Sequence, residues 1–187
     1  MSVAVDHTGP WTVADVLALP EDRTTRYELL GESLVMSPAP GIRHQRASLR
    51  LAMILHRAAA ASKAPVEVLE AINVILPSGL VVPDIVVTDA GATAEDTVSV
   101  DADGVQLVVE LVSPGNLMVD RKFKPMLYAE AAVPYFWRLE FDPAPMLVAY
   151  ELAGGRYEER VTVLAGTTTH LDAPFPVAID PAELVRQ

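Results

Sequence analysis

The sequence predicts a mixed α/β fold, and three observations carry that prediction. The chain is 51% hydrophobic yet only 6% aromatic, with Val, Ala and Leu dominant, a composition that suits a packed domain of helices on sheet and excludes global disorder. Two short runs rich in β-branched residues, 81–87 and 105–112, read as strands buried on both faces. Between 42 and 61, Ala47, Leu51, Ile54, Leu55 and Ala58 recur at helical spacing, the mark of a long amphipathic helix.

Taken in order, residues 1–11 are expected to be flexible, as chain ends usually are. Thr12 is a natural N-cap for a short helix ended by Pro20. Residues 26–30 and 33–36 read as a hairpin turning at Gly31-Glu32. Pro38 and Pro40 then separate it from the long helix. Residues 66–76 form a long strand or a bent pair, closed by Pro77-Ser78-Gly79. The 81–87 strand follows, then a polar, acidic loop from 89 to 104, the best candidate for a mobile segment. After the 105–112 strand, a helix spans about 123–132. Pro125 is tolerated only in its first turn. Residues 133–139 are a strand, and 146–152 with 157–163 flank Gly154-Gly155 as a tight hairpin. Residues 174–187 are expected as an extended tail or strand closing on a short helix. One domain, 1–187, accounts for this length.

Composition also limits function. There is no cysteine, which excludes disulfides, zinc–thiolate sites and cysteine nucleophiles and makes a reducing cytoplasm the simplest location. The first residues show neither a basic start nor an apolar core of a secretion signal, and no apolar stretch reaches membrane-spanning length, so no membrane partner is expected. The formal net charge of -11 argues against a generic nucleic-acid coat, because phosphate affinity comes from Lys and Arg. Its distribution is more telling. Residues 41–63 carry Arg43, Arg46, Arg50, Arg57 and Lys63, with His44 and His56 and no acid, whereas 67–110 carry Glu67, Glu70, Asp84, Asp89, Glu95, Asp96, Asp101, Asp103 and Glu110 with no base. A basic helix facing an acidic centre is the balance expected where phosphates lie over bound cations; a solvated basic face on an acidic protein is the plainer alternative.

The chemistry centres on one carboxylate in each apolar strand. Strand alternation places Val82, Asp84 and Val86 on one face, and Val108, Glu110 and Val112 on one face. An ionised carboxylate in such surroundings costs several kcal/mol unless it meets a cation or a metal. If the strands are neighbours, both acids can reach one Mg²⁺, which needs few protein ligands. Spacing alone leaves open that Asp84 follows Pro83 in a turn and that Glu110 forms an ion pair. Lys124 is the third member, either aimed at the site or paired with Asp120 at helical spacing. Glu32 sits in a hairpin turn, where a solvated glutamate is ordinary. His44, in the first turn of the basic helix, is either a phosphate contact or structural. No nucleophile elbow, phosphate-binding glycine loop or His-Glu-x-x-His pattern occurs.

Tyr27-Glu28-Leu29-Leu30-Gly31-Glu32, Ser37-Pro38 with His44-Gln45, Pro83-Asp84, Val109 to Pro114, Asp120 to Lys124 with Tyr128, and Val133-Pro134-Tyr135-Phe136-Trp137 follow one another in order. From about Tyr27 to Tyr157 this series resembles the putative restriction endonuclease family of the PD-(D/E)XK nuclease superfamily. The resemblance implies a restriction-endonuclease-like fold, a central mixed β-sheet flanked by helices, with a frequent homodimer. It also implies a Mg²⁺- or Mn²⁺-dependent endonuclease site acting on DNA. By position it makes Asp84 and Glu110 metal ligands and catalytic residues, with Glu32 and His44 supporting them. The lysine expected two residues past the acid is replaced by Val112, so the catalytic lysine is displaced to the next helix as Lys124, or its neighbour Lys122. Arg43, Arg46 and Arg50 would hold the DNA backbone. The alternative is a catalytically inactive DNA-binding or dimeric interaction module that keeps the fold.

Overall fold

The computed structural model of the chain describes residues 7–20, 22, 24–93, 97–113 and 117–186. Helix α1 (Val13–Leu17) begins at the expected cap: the Thr12 hydroxyl accepts from the Asp15 N–H, and the Asp15 carboxylate accepts from the Thr12 N–H. Two otherwise orphaned donors are satisfied by one pair of short side chains. Before it, His7 stacks on Trp11 with ring centres 4.0 Å apart; the expectation of flexibility for residues 1–6 lies outside the described residues. Strands β1 (Thr25–Leu30) and β2 (Ser33–Pro38) pair antiparallel about the Gly31-Glu32 turn. The long helix is α2 (Ile42–Ser62).

Residues 66–76 are the bent pair, β3 (Val66–Glu70) and β4 (Asn73–Leu76), separated at Ala71, whose φ is 52°. The run 81–87 is not the single strand its composition predicts. It is divided into β5 (Gly79–Val81) and β6 (Ile85–Asp89). Pro83 has no N–H to give a ladder, and the interruption lets β5 pair with β1 and β4 while β6 pairs with β3 and β8 (Val105–Leu111). Asp84 lies in that break. The acidic segment expected as a mobile loop instead contains β7 (Ser99–Asp101), parallel to β4, with Val100 and Ala102 buried; residues 94–96 lie outside the described residues, as do 114–116 of the turn after β8.

Downstream, a π-helical turn at Val119–Phe123 runs into α3 (Lys124–Glu130), with Pro125 in the first turn as required. Strands β9 (Tyr135–Glu140), β10 (Met146–Ala153) and β11 (Arg156–Leu164) follow. The β10–β11 turn places Gly154 and Gly155 at φ 57° and 80°, the left-handed values that favour glycine in a two-residue hairpin. Strands β12 (Thr169–Leu171) and β13 (Val177–Ile179) pair, and α4 (Pro181–Val185) ends the chain. The tail is thus not an extended arm: Phe175, Val177, Ile179 and Leu184 are buried in the principal core.

The result is a mixed six-stranded sheet, β11-β10-β9-β8-β6-β3, beside a mixed five-stranded sheet, β2-β1-β5-β4-β7. Apolar faces of α2 and α4 cover one side of the larger sheet through Leu51, Leu55, Leu107, Val109 and Leu184. On its other side Val86, Val108 and Phe136 pack with Tyr128 of α3 and with Val74 and Val81 of the smaller sheet. Among the described residues no helix is long and apolar enough to cross a membrane. Within the five-stranded sheet, β5 runs so close to β1 at Gly79 (φ 153°) that a Cβ there would stand 2.0 Å from the Leu29 carbonyl oxygen. Gly79→Ala is therefore expected to destabilise the chain by at least about 3 kcal/mol, beyond the usual single-substitution cost, as measured by urea unfolding.

Candidate active site

The division of the 81–87 run sets the site. Asp84 emerges between β5 and β6, and one Asp84 carboxylate oxygen, Oδ2, accepts the N–H of Leu111 at 2.8 Å, from the far end of neighbouring β8. Glu110, one residue before, projects to the same side. Lys124 comes from the first turn of α3, where Pro125 fixes the helix start, and Glu28 comes from the middle of β1. Their side chains meet in one cleft of about 640 Å³, with Asp120, His44 and Arg26 also in its walls. Glu28, Asp84, Glu110 and Lys124 are only 2–5% exposed.

The contacts form two linked groups. Lys124 Nζ lies 2.8 Å from Glu28 Oε1 and 3.1 Å from Glu110 Oε1. Glu28 Oε1 also accepts the Val82 N–H at 2.8 Å, and the Tyr128 hydroxyl donates to Glu110 Oε1 at 2.5 Å. In the second group Arg26 Nη1 donates to Asp84 Oδ1 at 2.7 Å. His44 Nε2 lies 3.1 Å from both Asp84 Oδ2 and the Leu111 carbonyl oxygen. A nitrogen between two acceptors carries the proton, and His44 Nδ1 is buried without a hydrogen-bond partner among the described residues.

Four carboxylates thus share Lys124 and Arg26, and their proton affinities show the imbalance. Burial pushes the Glu110 carboxyl up to about 8; Lys124 opposes that, while Asp84, Asp120 and Glu28 add to it. Burial likewise raises Asp120 to about 6. Burial would also raise Asp84, but the hydrogen bond and charge of His44, then Arg26, hold it below the ordinary carboxylate value. Desolvation disfavours the Lys124 ammonium, yet Glu110 and Glu28 outweigh it and keep the amine protonated. For Glu110 the sign is clear: between its unfolded value of 4.5 and about 8 the folded chain holds a proton that the unfolded chain has released. Stability must fall as pH rises through that window, by up to about 1.4 kcal/mol per pH unit. Thermal unfolding in EDTA from pH 6 to 8 is expected to show this decline, and Glu110→Gln to flatten it.

Of the residues expected at the site, Asp84, Glu110, Lys124 and His44 are brought together. Glu32 is not: it is exposed in the β1–β2 turn, outside the cleft. The acid that the first hairpin delivers is Glu28, because alternation along β1 turns Arg26 and Glu28 to the cleft while the turn carries Glu32 away. Lys122 is exposed on the opposite side of the helix from the cleft. Arg43 stands at the rim, donating to the Phe141 carbonyl at 2.9 Å and lying over the Phe141 ring. Arg46 is half-buried and does not line the cleft. Arg50 is committed elsewhere, its Nη1 donating to the carbonyls of Glu183, Leu184 and Arg186 at the end of α4.

Among the described residues no three His, Asp or Glu side chains are already spaced as a metal cage. The donor set nevertheless fits a hard cation that keeps most of its water: carboxylate oxygens only, more anions than cations, and in Glu110 and Asp120 two acids whose charge is under-compensated.

Comparison with known proteins gives the family and the fold. The family model for Uma2, described as "Putative restriction endonuclease", matches residues 13–182. Among solved structures, the crystal structure of "a putative nuclease belonging to DUF820" from Anabaena variabilis superposes with a TM-score of 0.72 at 14% identity, covering 94% of this chain and 98% of that one. At that identity the likeness establishes the fold. No curated protein matches the chain.

Proposed function

The chain belongs to the Uma2 family of putative restriction endonucleases, and from that premise we propose that it is a Mg²⁺-dependent phosphodiesterase that cuts DNA. The observation that carries this reading is the convergence of Asp84, in the break before β6, and Glu110, on the neighbouring β8, with the Lys124 ammonium in one cleft. Asp84 and Glu110 would hold the ion. When bound, Mg²⁺ supplies polarisation of the scissile phosphate and a lower pKa for a coordinated water.

The chain's own residues divide the remaining work. Lys124 stays protonated between Glu28 and Glu110, and with three protons to give it can stabilise charge developing on the phosphate. Tyr128 fixes the orientation of Glu110, and His44 fixes that of Asp84. Arg43 at the rim is placed to meet a backbone phosphate. Arg26 holds Asp84 Oδ1, so that oxygen would be open to an ion only with the guanidinium turned away; Arg26 is the more exposed partner, 26% against 4%.

One observation favours a second reading. Both oxygens of Asp84 are already occupied by Arg26, His44 and Leu111, as they would be in a chain that keeps the fold and binds DNA without turning it over. Supercoiled plasmid incubated with Mg²⁺ or Mn²⁺ distinguishes the two. The nuclease reading expects nicked and linear products that EDTA abolishes; binding without product under either ion supports the inactive module.

A further inference from the structure

The helical segment that carries Lys124 has two functional sides. Asp120 and Lys124 face the cleft, whereas Arg121, Lys122 and Met126 wall a second groove of about 680 Å³. The opposite wall comes from β9–β11, through Arg138, Tyr150, Arg156 and Tyr157. Two features of this groove bear on what it can hold.

The first is its charge. Four of the chain's 14 Lys and Arg residues line it, on a molecule whose net charge is -11. Arg121 makes a two-pronged ion pair with Glu140, which Arg138 shares. Lys122 and Arg156 are exposed and have no ion pair among the described residues. Glu130 in the lining and Glu159, opposite Tyr150 in the β10–β11 register, are the acids nearby. The groove keeps an excess of cations, and the unpaired ones stand on opposite walls.

The second is its floor. Phe136 stacks against Tyr150 with ring centres 5.6 Å apart and packs 5.4 Å from Tyr157. The Arg138 guanidinium lies 5.4 Å from the Tyr150 ring centre. Aromatic faces between unpaired cations are the chemistry that holds an unpaired nucleic-acid strand, whose bases stack while its phosphates follow the charge. An acidic peptide would use the cations but not the platform. A duplex hides its base faces. The ridge between groove and cleft is one helix, about 10 Å across, and it exposes Phe123 and Met126.

We propose that this groove binds a single nucleic-acid strand, with Lys122 and Arg156 on its phosphates and the Tyr150–Tyr157 platform under its bases, and feeds that strand over α3 toward Asp84. The identity of the polyanion rests on the nuclease reading of the cleft; the site itself does not.

The test is fluorescence anisotropy of a labelled DNA strand of roughly 20 nucleotides, longer than an ordinary single-strand site, with the full chain in EDTA so that no cutting intervenes. Lys122→Ala/Arg156→Ala, which removes two exposed side chains and should leave the melting temperature unchanged, is expected to weaken binding about tenfold or more. It should also flatten the dependence of log affinity on log salt by about 1.4, the share of two phosphate contacts on a single strand. Unchanged affinity in the double variant, no strand binding by the wild type, tighter binding of the matching duplex, or equal competition by poly-glutamate would each overturn the proposal. Strand binding that behaves as expected in a chain that never cuts would refute the nuclease reading and leave this inference standing. Cutting that is indifferent to the double variant, with no strand affinity in the groove, would do the reverse.

Discussion

Asp84→Asn is expected to lower DNA cleavage by about 10²–10³-fold, the scale on which losing one preorganised electrostatic group acts at an active site, while the chain stays folded. The substitution keeps an oxygen able to accept the Leu111 N–H but removes the charge that faces Arg26 and His44. Arg26 is partly exposed and can turn to water, so the stability cost should stay near 1–3 kcal/mol, that of a charged hydrogen bond. Plasmid nicking rates and thermal unfolding on the same preparation check both halves. Full cleavage by the folded variant would remove Asp84 from the chemistry.

Lys124→Met has the larger effect on stability. The ammonium is the cation shared by Glu28 and Glu110 and lies within the field of Asp120, and all of these side chains are buried. Removing one member of a buried charge group leaves the others uncompensated, at a cost of about 3–5 kcal/mol. For a chain of this size that is a fall in melting temperature of roughly 6–20 °C. Glu28→Gln added to Lys124→Met should restore part of the loss, because one of the stranded charges is gone; cleavage should not return. Guanidinium unfolding of the single and double variants measures the recovery. Equal stability of Lys124→Met and the wild type would mean that the cluster is already neutral without its lysine.

Much of this site is legible from local pattern. A lone acid in each of two β-branched runs marks Asp84 and Glu110, and Pro125 two residues into the 123–132 helix fixes where Lys124 must stand. The Thr12 cap, the 42–61 helix and the Gly154-Gly155 hairpin are likewise written in neighbouring residues. What escapes is settled by partners distant in sequence. Pro83 reads as a blemish in one strand, yet it divides that strand between two sheets and thereby exposes Asp84 to the cleft. The five-stranded sheet includes the short β7, which pairs parallel with β4 from inside a segment whose composition looks like loop. Arg50 shares a helical stripe with Arg43, but its acceptors are carbonyls at the far end of the chain. Glu28 is legible in the same way. Arg26 and Glu28 alternate on an otherwise apolar strand, so both must face a site able to receive charge, whereas the turn residue Glu32 has no such constraint.

The central claim is that Asp84 and Glu110 are held in one place to take a divalent cation. A crystal soaked in Mn²⁺ tests it most directly through the anomalous signal of the metal. The account predicts one peak in the cleft in contact with both carboxylates, with the Arg26 guanidinium moved off Asp84 and no such peak in Asp84→Asn crystals. A soaked crystal that diffracts well, shows no peak there and keeps Arg26 and His44 on Asp84 would contradict it.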